Sequence, residues 1–396
     1  ADAAQTAQAV ADAAAAGTSL EVRAGGSKQA YGHPGDADAV LDVSALAGIQ
    51  LYEPEELVIT AGAATPLAEV EAVLAKAGQH LAFEPPNYGA ILGAGDAAAT
   101  LGGMLACNLS GPRRIVAGAA RDHFLGVAAI SGTGEPFKSG GRVVKNVTGY
   151  DLSKLMAGAM GTLGVMTEVS LKVLPAPPDT RTVLVLGLDA PAAVEILGNA
   201  AGSQFEATGL AHLPKTAAAR SSVAAVSGAG VPVTAIRLEG PGPSVVARGA
   251  ALIADLAPNE IQELDRDASQ VLWREIRDGA LVPADGPLWR LSVPPSDGAI
   301  VAERLGEVCD CQILFDWAGG LLWVSLDGED PHAGDVRGAL GEHSGHATLV
   351  RASVGARRSH PVFQPQPGPL AALSARVKLA FDPLGILNPG RMGMGQ

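Results

Sequence analysis

The chain has 396 residues, with 28 Lys and Arg against 41 Asp and Glu, a formal charge of −13. That length predicts two or three domains with cores large enough to fold without staples, and the acidic balance argues against a nucleic-acid or anionic-membrane surface as partner. Three cysteines, Cys107, Cys309 and Cys311, are too few and too unevenly placed for a disulfide framework, a structural metal site or an iron–sulfur cluster, so no metal is expected and a reducing cytoplasm fits best.

The opening ADAAQTAQAVADAAAAG lacks a basic n-region and a Leu-rich core, so its alanine periodicity predicts a surface helix over 2–16 instead of a signal peptide. Strand Ser19–Arg23, a Gly-Gly-Ser turn, and strands Ala39–Asp42 and Leu57–Ala61 follow. A helix is expected over Pro66–Ala77, where Leu67, Val70, Val73 and Leu74 repeat at helical spacing, with Thr65 as N-cap and Gly78 as stop. Phe124–Ile130 reads as a strand, Gly132–Gly134 as a tight turn, and Val165–Val173 as a strand ending at the cluster Pro175-Ala-Pro-Pro178, a domain boundary.

Beyond the boundary the pattern predicts strand Val183–Leu188, helix Pro191–Gly198, strand Val233–Glu239, and helices Ser244–Leu256 and Ser269–Arg277. Strand Leu288–Val293, helix Ala299–Val308 and the hairpin QILFDWAGGLLWVSL come next, with Cys309 and Cys311 as strand residues. Two strand–helix–strand runs of this kind predict an antiparallel sheet backed by helices, of the ferredoxin-like type, and Trp273, Trp289, Trp317 and Trp323 as core or hairpin residues. In the final helix, Leu370–Phe381, the stripe Leu370, Leu373, Val377 and Phe381 is expected to pack, and the tail Asp382–Gly393 offers Asn388 and Arg391 for contact with the first domain. The domains expected are 1–175, 180–360 and a returning tail 361–396. No apolar run is long enough to span a bilayer.

The 50 glycines are near twice the usual share of about 7%, and they concentrate between residues 85 and 165 among apolar runs. Close backbone approach or positive φ is their expected use. No G-x-G-x-x-G is present: Gly93 and Gly95 are followed by Ala98, and Gly132 and Gly134 by Phe137, which disfavours a Rossmann cradle; the P-loop pattern is missing too. The turn Arg23-Ala-Gly-Gly-Ser-Lys28 after a strand can converge its N–H groups on an anion, or can serve as a plain turn. Two further segments accompany it, Thr100-LGGMLACNLSGPRRIVAGAARDHFLG-Gly126 and Gly140–Pro175, which contains Lys-Asn-Val-Thr-Gly-Tyr-Asp and Gly-Thr-Leu-Gly-Val.

Taken in order, RAGGSK, TLGGMLACNLSG, GAARDH, GGRVVKNVTGYDLSKL, GTLGV and LNPGRM resemble the flavoproteins of the vanillyl-alcohol-oxidase and p-cresol-methylhydroxylase (PCMH) superfamily. More narrowly the chain is similar to the E subunits of bacterial glycolate oxidases. The resemblance covers most of residues 19–175 and the tail. It implies an α+β fold, a two-lobed PCMH-type FAD-binding domain with a ferredoxin-like cap, and FAD in the cleft between lobes. It also implies partners, a D-type flavoprotein subunit and an F-type iron–sulfur subunit. The implied activity is oxidation of glycolate or a similar 2-hydroxy acid to the oxo acid. The expected location is the cytoplasm, with peripheral attachment to the inner face of the membrane through partner subunits as an alternative.

By that resemblance Gly25, Gly26, Ser27 and Lys28 match the loop that cradles the FAD pyrophosphate, Thr100, Gly102 and Gly103 the second glycine turn, and Asn108, Ser110 and Gly111 the turn beside it. Lys145, Asn146, Thr148, Gly149, Tyr150 and Asp151 resemble the segment that closes around the flavin. Gly161, Thr162, Gly164 and Val165 resemble the loop and strand near the adenine, and Asn388 and Arg391 the tail that returns to the isoalloxazine ring. Ser27 stands where many superfamily members carry a flavin-linking histidine, which implies noncovalent FAD. The His-rich metal motif of the related 2-hydroxy-acid dehydrogenases is missing, so no catalytic base is assigned. For the remaining polar groups, His343 and His346 read as a turn or as a proton-accepting pair, His123 as a structural hydrogen bond or a proton-transfer group, and Arg357 and Arg358 as solvated or as a carboxylate clamp. Lys145 reads as a charge near reduced flavin or as a surface lysine, and Tyr150 as a stacking or seam residue. A stand-alone FAD-dependent oxidoreductase and a noncatalytic flavin-bearing scaffold remain alternatives.

Overall fold

The computed structural model describes residues 2–141, 149–341 and 345–393. Helix α1 (Ala3–Ala16) begins at a capping box: Asp2 accepts from the Gln5 N–H at 2.8 Å while the Gln5 side chain accepts from the Asp2 N–H at 3.0 Å, and Gly17 closes the other end at φ +65°. Strands β1 (Leu20–Arg23) and β2 (Ala39–Asp42) pair in parallel. After them come β3 (Ile49–Glu53), β4 (Val58–Gly62), α2 (Leu67–Lys76), α3 (Leu101–Cys107), β5 (Phe124–Ile130), β6 (Pro136–Gly140) and β7 (Val165–Lys172). The last five strands form one antiparallel sheet in the order β3-β4-β7-β5-β6. Val10 and Ala13 of α1 bury against Leu20, Leu41, Ile130, Val165 and, from the far end of the chain, Ile386 and Leu387. Thr65 is not the N-cap of α2. Pro66 holds that position, and the Thr65 hydroxyl donates to the Gly62 carbonyl at 2.7 Å and accepts from the Gly48 N–H at 2.9 Å, closing a turn that the pattern of apolar residues does not reveal.

The second set of elements runs β8 (Asp179–Leu186), α4 (Ala190–Ala201), β9 (Gly209–Leu213), β10 (Val233–Gly240), α5 (Gly242–Asp255), β11 (Ile261–Leu264) and α6 (Arg266–Asp278). It continues with β12 (Leu288–Ser292), α7 (Gly298–Val308), β13 (Cys311–Asp316), β14 (Leu321–Leu326), α8 (Ala333–Leu340) and β15 (His346–Arg351). Their sheet has eight strands in the order β11-β8-β10-β9-β13-β14-β12-β15, every neighbour antiparallel. The order resolves into two ferredoxin-like halves, each a β-α-β-β-α-β run, fused edge to edge where β9 meets β13. Each half has its own core, one around Val183, Leu210, Ile236 and Leu252, the other around Trp289, Leu291, Leu322 and Val336. All four tryptophans are buried. Cys309 is not a strand residue: it caps α7, and only Cys311 lies in β13.

The seam between the halves rests on the pair His212↔Phe315. The His212 ring lies 5.7 Å from Phe315 and its Nδ1 is 2.9 Å from the Thr234 hydroxyl. Burial lowers its pKa from 6.5 to about 4. The unfolded chain takes up this proton before the folded one does, so the contribution is present above pH 6.5 and is lost as the pH falls through about 4. Between pH 7 and pH 4.5 the wild type is expected to lose about 2–3 kcal/mol more than a His212→Phe variant, measured by urea unfolding. Equal losses would show that His212 does not titrate with unfolding.

Contacts divide the chain into two units: Ala1–Ser110, Gly118–Ala176 and Pro365–Gln396 in one, Gly111–Ala117 and Pro177–Gln364 in the other. The tail helix α9 (Gly368–Phe381) thus belongs with the first unit. Its apolar stripe does not bury. Leu370 and Leu373 are each 47% exposed, and no residue of α9 is buried. Polar anchoring replaces packing: Lys378 Nζ donates to the Thr162 carbonyl at 2.7 Å and to Asp382 Oδ2 at 2.6 Å, and Asp382 accepts from the N–H groups of Ile386 and Leu387. Phe381 adds one ring contact, to Phe137. Among the described residues no helix is long and apolar enough to cross a membrane.

Candidate functional site

The turn after β1 is built by close approach. A Cβ on Gly25 would lie 2.0 Å from the Ala98 carbonyl oxygen, and Gly26 sits at φ +77°, so neither position admits a side chain without strain. The N–H groups of Gly25, Gly26, Ser27 and Lys28 find no acceptor among the described residues. Four successive unsatisfied donors on a tight turn form a concavity for an anion. Helix α3 starts beside this turn: Thr100 caps it by accepting from the Gly103 N–H, and the Gly102 N–H donates to the Ala63 carbonyl at 2.7 Å, an approach that a Cβ would block.

A cavity of about 850 Å³, measured with its open mouth, lies against both segments. Of the residues singled out in the sequence, it brings together Gly25, Gly26, Ser27, Lys28, Thr100, Gly102, Gly103, Gly161, Gly164, Asn388 and Arg391. The tail reaches it by pairing with β1. Leu387 bridges Leu20, the Asn388 Oδ1 accepts from the Val22 N–H at 2.8 Å, and the Asn388 Nδ2 donates to the Met160 carbonyl at 2.8 Å. Arg391 Nη2 donates to the Lys28 carbonyl at 2.8 Å, which places a guanidinium on the same loop as the lysine.

Charge decides what this cavity suits. Lys28 is 9% exposed, and among the described residues its ammonium hydrogen-bonds only the Ser27 hydroxyl, at 3.2 Å. Neither Lys28 nor Arg391 forms an ion pair among the described residues. Burial lowers the pKa of each. A buried ammonium and a half-buried guanidinium without a carboxylate are costly alone and favourable with a bound anion. The Cys107 thiol lies in the same wall; burial raises its pKa, and Lys28 and Arg391 pull it back. Cys107, Ala63, Ala64, Met160 and Met166 line the cavity although sequence reasoning passed over them. The small residues of Gly62-Ala-Ala-Thr65 were the available signal.

Other expected site residues stand apart from the cavity wall. Asn108, at φ +49°, ends α3 and accepts from the Arg121 N–H, and Ser110 accepts from the Ala120 N–H, so both brace the Ala119–His123 turn. Gly111 lies in the second unit, where its carbonyl accepts from the Trp317 indole. Tyr150 is 90% exposed, Gly149 adopts φ +89°, and Asp151 caps the helical turn Leu152–Met156 through the Lys154 N–H. The Thr162 hydroxyl donates to the Ala159 carbonyl, and Val165 starts β7 in the core. Lys145, Asn146, Thr148 and His343 lie outside the described residues.

His123 is buried against Phe83, with ring centroids 5.2 Å apart. His346 opens β15. Arg357 and Arg358 do not sit in a loop but on the helical turn Val354–Ser359, one buried and the other exposed, so they do not act as a clamp. Cys309, His332 and Asp335 bring one ligand atom each within 4.8 Å of one another, but burial and the neighbouring Asp335 and Asp330 raise the thiol pKa and so favour its protonated form.

Four free N–H groups, two unpaired cations and glycines that cannot carry a Cβ fit a ligand bearing a diphosphate. Residues 1–140 match the family described as FAD binding domain. The chain is 38% identical over 377 residues, 95% of its length and 93% of the relative's, to glycolate oxidase subunit GlcE of Escherichia coli (strain K12). Over 100 residues, 25% of the chain and 21% of the relative, it is 35% identical to glycolate oxidase subunit GlcD of Bacillus subtilis (strain 168). Among solved structures, 4-ethylphenol oxidase from Gulosibacter chungangensis superposes with a TM-score of 0.70 at 15% identity, covering 99% of this chain and 88% of that one. p-Cresol methylhydroxylase does so with 0.67 at 15%, covering 99% and 87%. These two fix the fold as α+β of the PCMH type.

Proposed function

Because the chain belongs to the family of glycolate oxidase subunit GlcE, FAD-binding oxidoreductases, we propose that it is the FAD-bearing subunit of a complex that oxidises glycolate or a similar 2-hydroxy acid to the oxo acid. Its partners in this reading are a D-type flavoprotein subunit and an F-type iron–sulfur subunit, in the cytoplasm or on the inner face of the membrane through those partners. The end-to-end match to the Escherichia coli subunit carries the reading. The free N–H groups and the cations on the cavity support it from the side of physics.

In that role the N–H groups of Gly25 to Lys28 hold the diphosphate, Lys28 and Arg391 offset its charge, and Asn388 fixes the tail so that Arg391 stays on the loop. Bound FAD supplies a two-electron acceptor that can release electrons singly, which suits a subunit placed between an alcohol and an iron–sulfur chain. Ser27 lacks the imidazole through which a histidine at that position would link the flavin, which supports a cofactor held without a covalent bond.

The test is to purify the chain alone and with both partners, measure flavin after acid precipitation, and add glycolate without oxygen. Flavin is expected in the supernatant over a colourless pellet, and the complex is expected to bleach on glycolate. A yellow pellet would overturn the noncovalent assignment. A flavin-loaded complex that keeps its colour would overturn the substrate.

A further inference from the structure

The second unit brings together three metal-ligating side chains that the sequence keeps apart, so that no spacing motif announces them. Cys309 caps the end of α7, where its N–H donates to the Leu305 carbonyl at 2.8 Å and its side chain joins the core around Trp289, Val301 and Val336. His332 and Asp335 come from the start of α8. One ligand atom of each, the thiol sulfur, an imidazole nitrogen and a carboxylate oxygen, lie within 4.8 Å of one another.

The turn that presents His332 is held from two sides. The Trp289 indole donates to the Pro331 carbonyl at 2.8 Å, and Asp330 accepts from the His332 N–H at 2.8 Å, while His332 itself adopts φ +45°. His332 Nδ1 then lies 3.2 Å from Asp335 Oδ2. Around a tetrahedral ion, nitrogen and oxygen donors at about 2.0–2.2 Å stand about 3.3–3.5 Å from each other, so this pair already has near-ligand spacing. The sulfur has to close by about 1 Å at most. The His332 and Asp335 side chains are 40% and 53% exposed, which leaves them free to turn toward it and gives an ion a path from solvent.

We propose that Cys309, His332 and Asp335 form a three-ligand site for Zn²⁺, completed by water, that ties the end of α7 to the start of α8. A sulfur, an imidazole and a carboxylate suit an ion of this class, whereas Mg²⁺ and Ca²⁺ take shells of oxygen. Asp335 and Asp330 place negative potential on the Cys309 sulfur, which disfavours a bare thiolate but favours a cation beside it. The same carboxylates offset the positive N-terminal end of α8. As the ion binds, the thiol proton leaves to solvent and a zinc–sulfur bond takes its place. The site does not depend on the function proposed above.

Calorimetric titration of the untagged, chelator-treated full chain with Zn²⁺ at pH 7 tests this. A single equivalent is expected to bind saturably, and Zn²⁺ at about 100 times its dissociation constant is expected to raise the melting temperature by about 5–10 °C. Co²⁺ in its place should show the red absorption of a tetrahedral ion, where oxidised flavin is transparent. Cys309→Ser and Asp335→Asn should each weaken Zn²⁺ by at least about 10- to 100-fold, the loss that outer-shell partners alone produce. Cys311→Ser should bind as the parent does. No saturable binding by the parent, unchanged affinity in Cys309→Ser or Asp335→Asn, or a Co²⁺ spectrum indifferent to Cys309→Ser would overturn the site, and so would a loss confined to Cys311→Ser. Should Cys309→Ser fail to fold, Asp335→Asn, altered at an exposed carboxylate, decides.

Discussion

Replacing Lys28 by methionine is expected to weaken FAD binding by about 10- to 100-fold, the worth of one charge-assisted hydrogen bond of about 1.5–3 kcal/mol, and at the same time to raise the melting temperature of the cofactor-free chain. The opposite signs follow from one fact. Lys28 is buried with no anionic partner among the described residues, where its ammonium hydrogen-bonds the Ser27 hydroxyl alone. Without ligand the ammonium is a burden, which burial registers by lowering its pKa. With a diphosphate in the turn, the same charge becomes the strongest contact available. Methionine keeps the stem and removes the charge. Thermal unfolding of the apoprotein and a fluorescence titration with FAD measure the two effects separately. A variant that retains the parental affinity shows that the diphosphate does not meet Lys28. One that loses affinity and also melts lower shows that the lysine is a structural support.

The largest loss of stability is expected from Glu239→Ala, about 3–5 kcal/mol, because it strands buried charges. Arg113 approaches this carboxylate with two nitrogens, Nη2 to Oε1 at 2.6 Å and Nε to Oε2 at 3.0 Å, and Arg237 Nε lies 3.6 Å from Oε2. All three side chains are nearly inaccessible. Burial alone would raise the Glu239 pKa, but Arg237 and Arg113 together hold it down to about 2. Arg237 is further fixed over the Trp273 ring, 4.6 Å from its centroid, and donates to the Thr208 carbonyl. The contribution is present above the ordinary carboxylate pKa of 4.5 and is lost as the pH falls through about 2. Urea unfolding at pH 7 should therefore show an earlier first transition in Glu239→Ala. A shift below about 1 kcal/mol would mean that the two guanidiniums find water or other acceptors instead.

What could be read from residue order was whatever depends on near neighbours. Strands Ala39–Asp42 and Phe124–Ile130 begin and end where alternation and turn residues place them, since side chains of period two and glycines at positive φ act over a few bonds. The turn at Gly25 and Gly26 was legible for the same reason. The β-α-β-β-α-β runs were legible as a class, but their fusion into eight strands through His212 and Phe315 was not, because one edge pairing leaves no periodic mark.

The tertiary structure alone decided which charges meet. Arg391 reaches the Lys28 carbonyl across 363 residues, Asn388 joins Val22 across 366, and Arg290 and Arg114 share the Trp317 ring from separate segments. It also decided that Leu370 and Leu373, spaced like a packing stripe, stay half exposed while Lys378 anchors their helix. The physical division is one of range. Backbone torsions answer to adjacent atoms, whereas burial and the energy of a charge depend on everything within several ångströms, and folding brings most of that from distant parts of the chain.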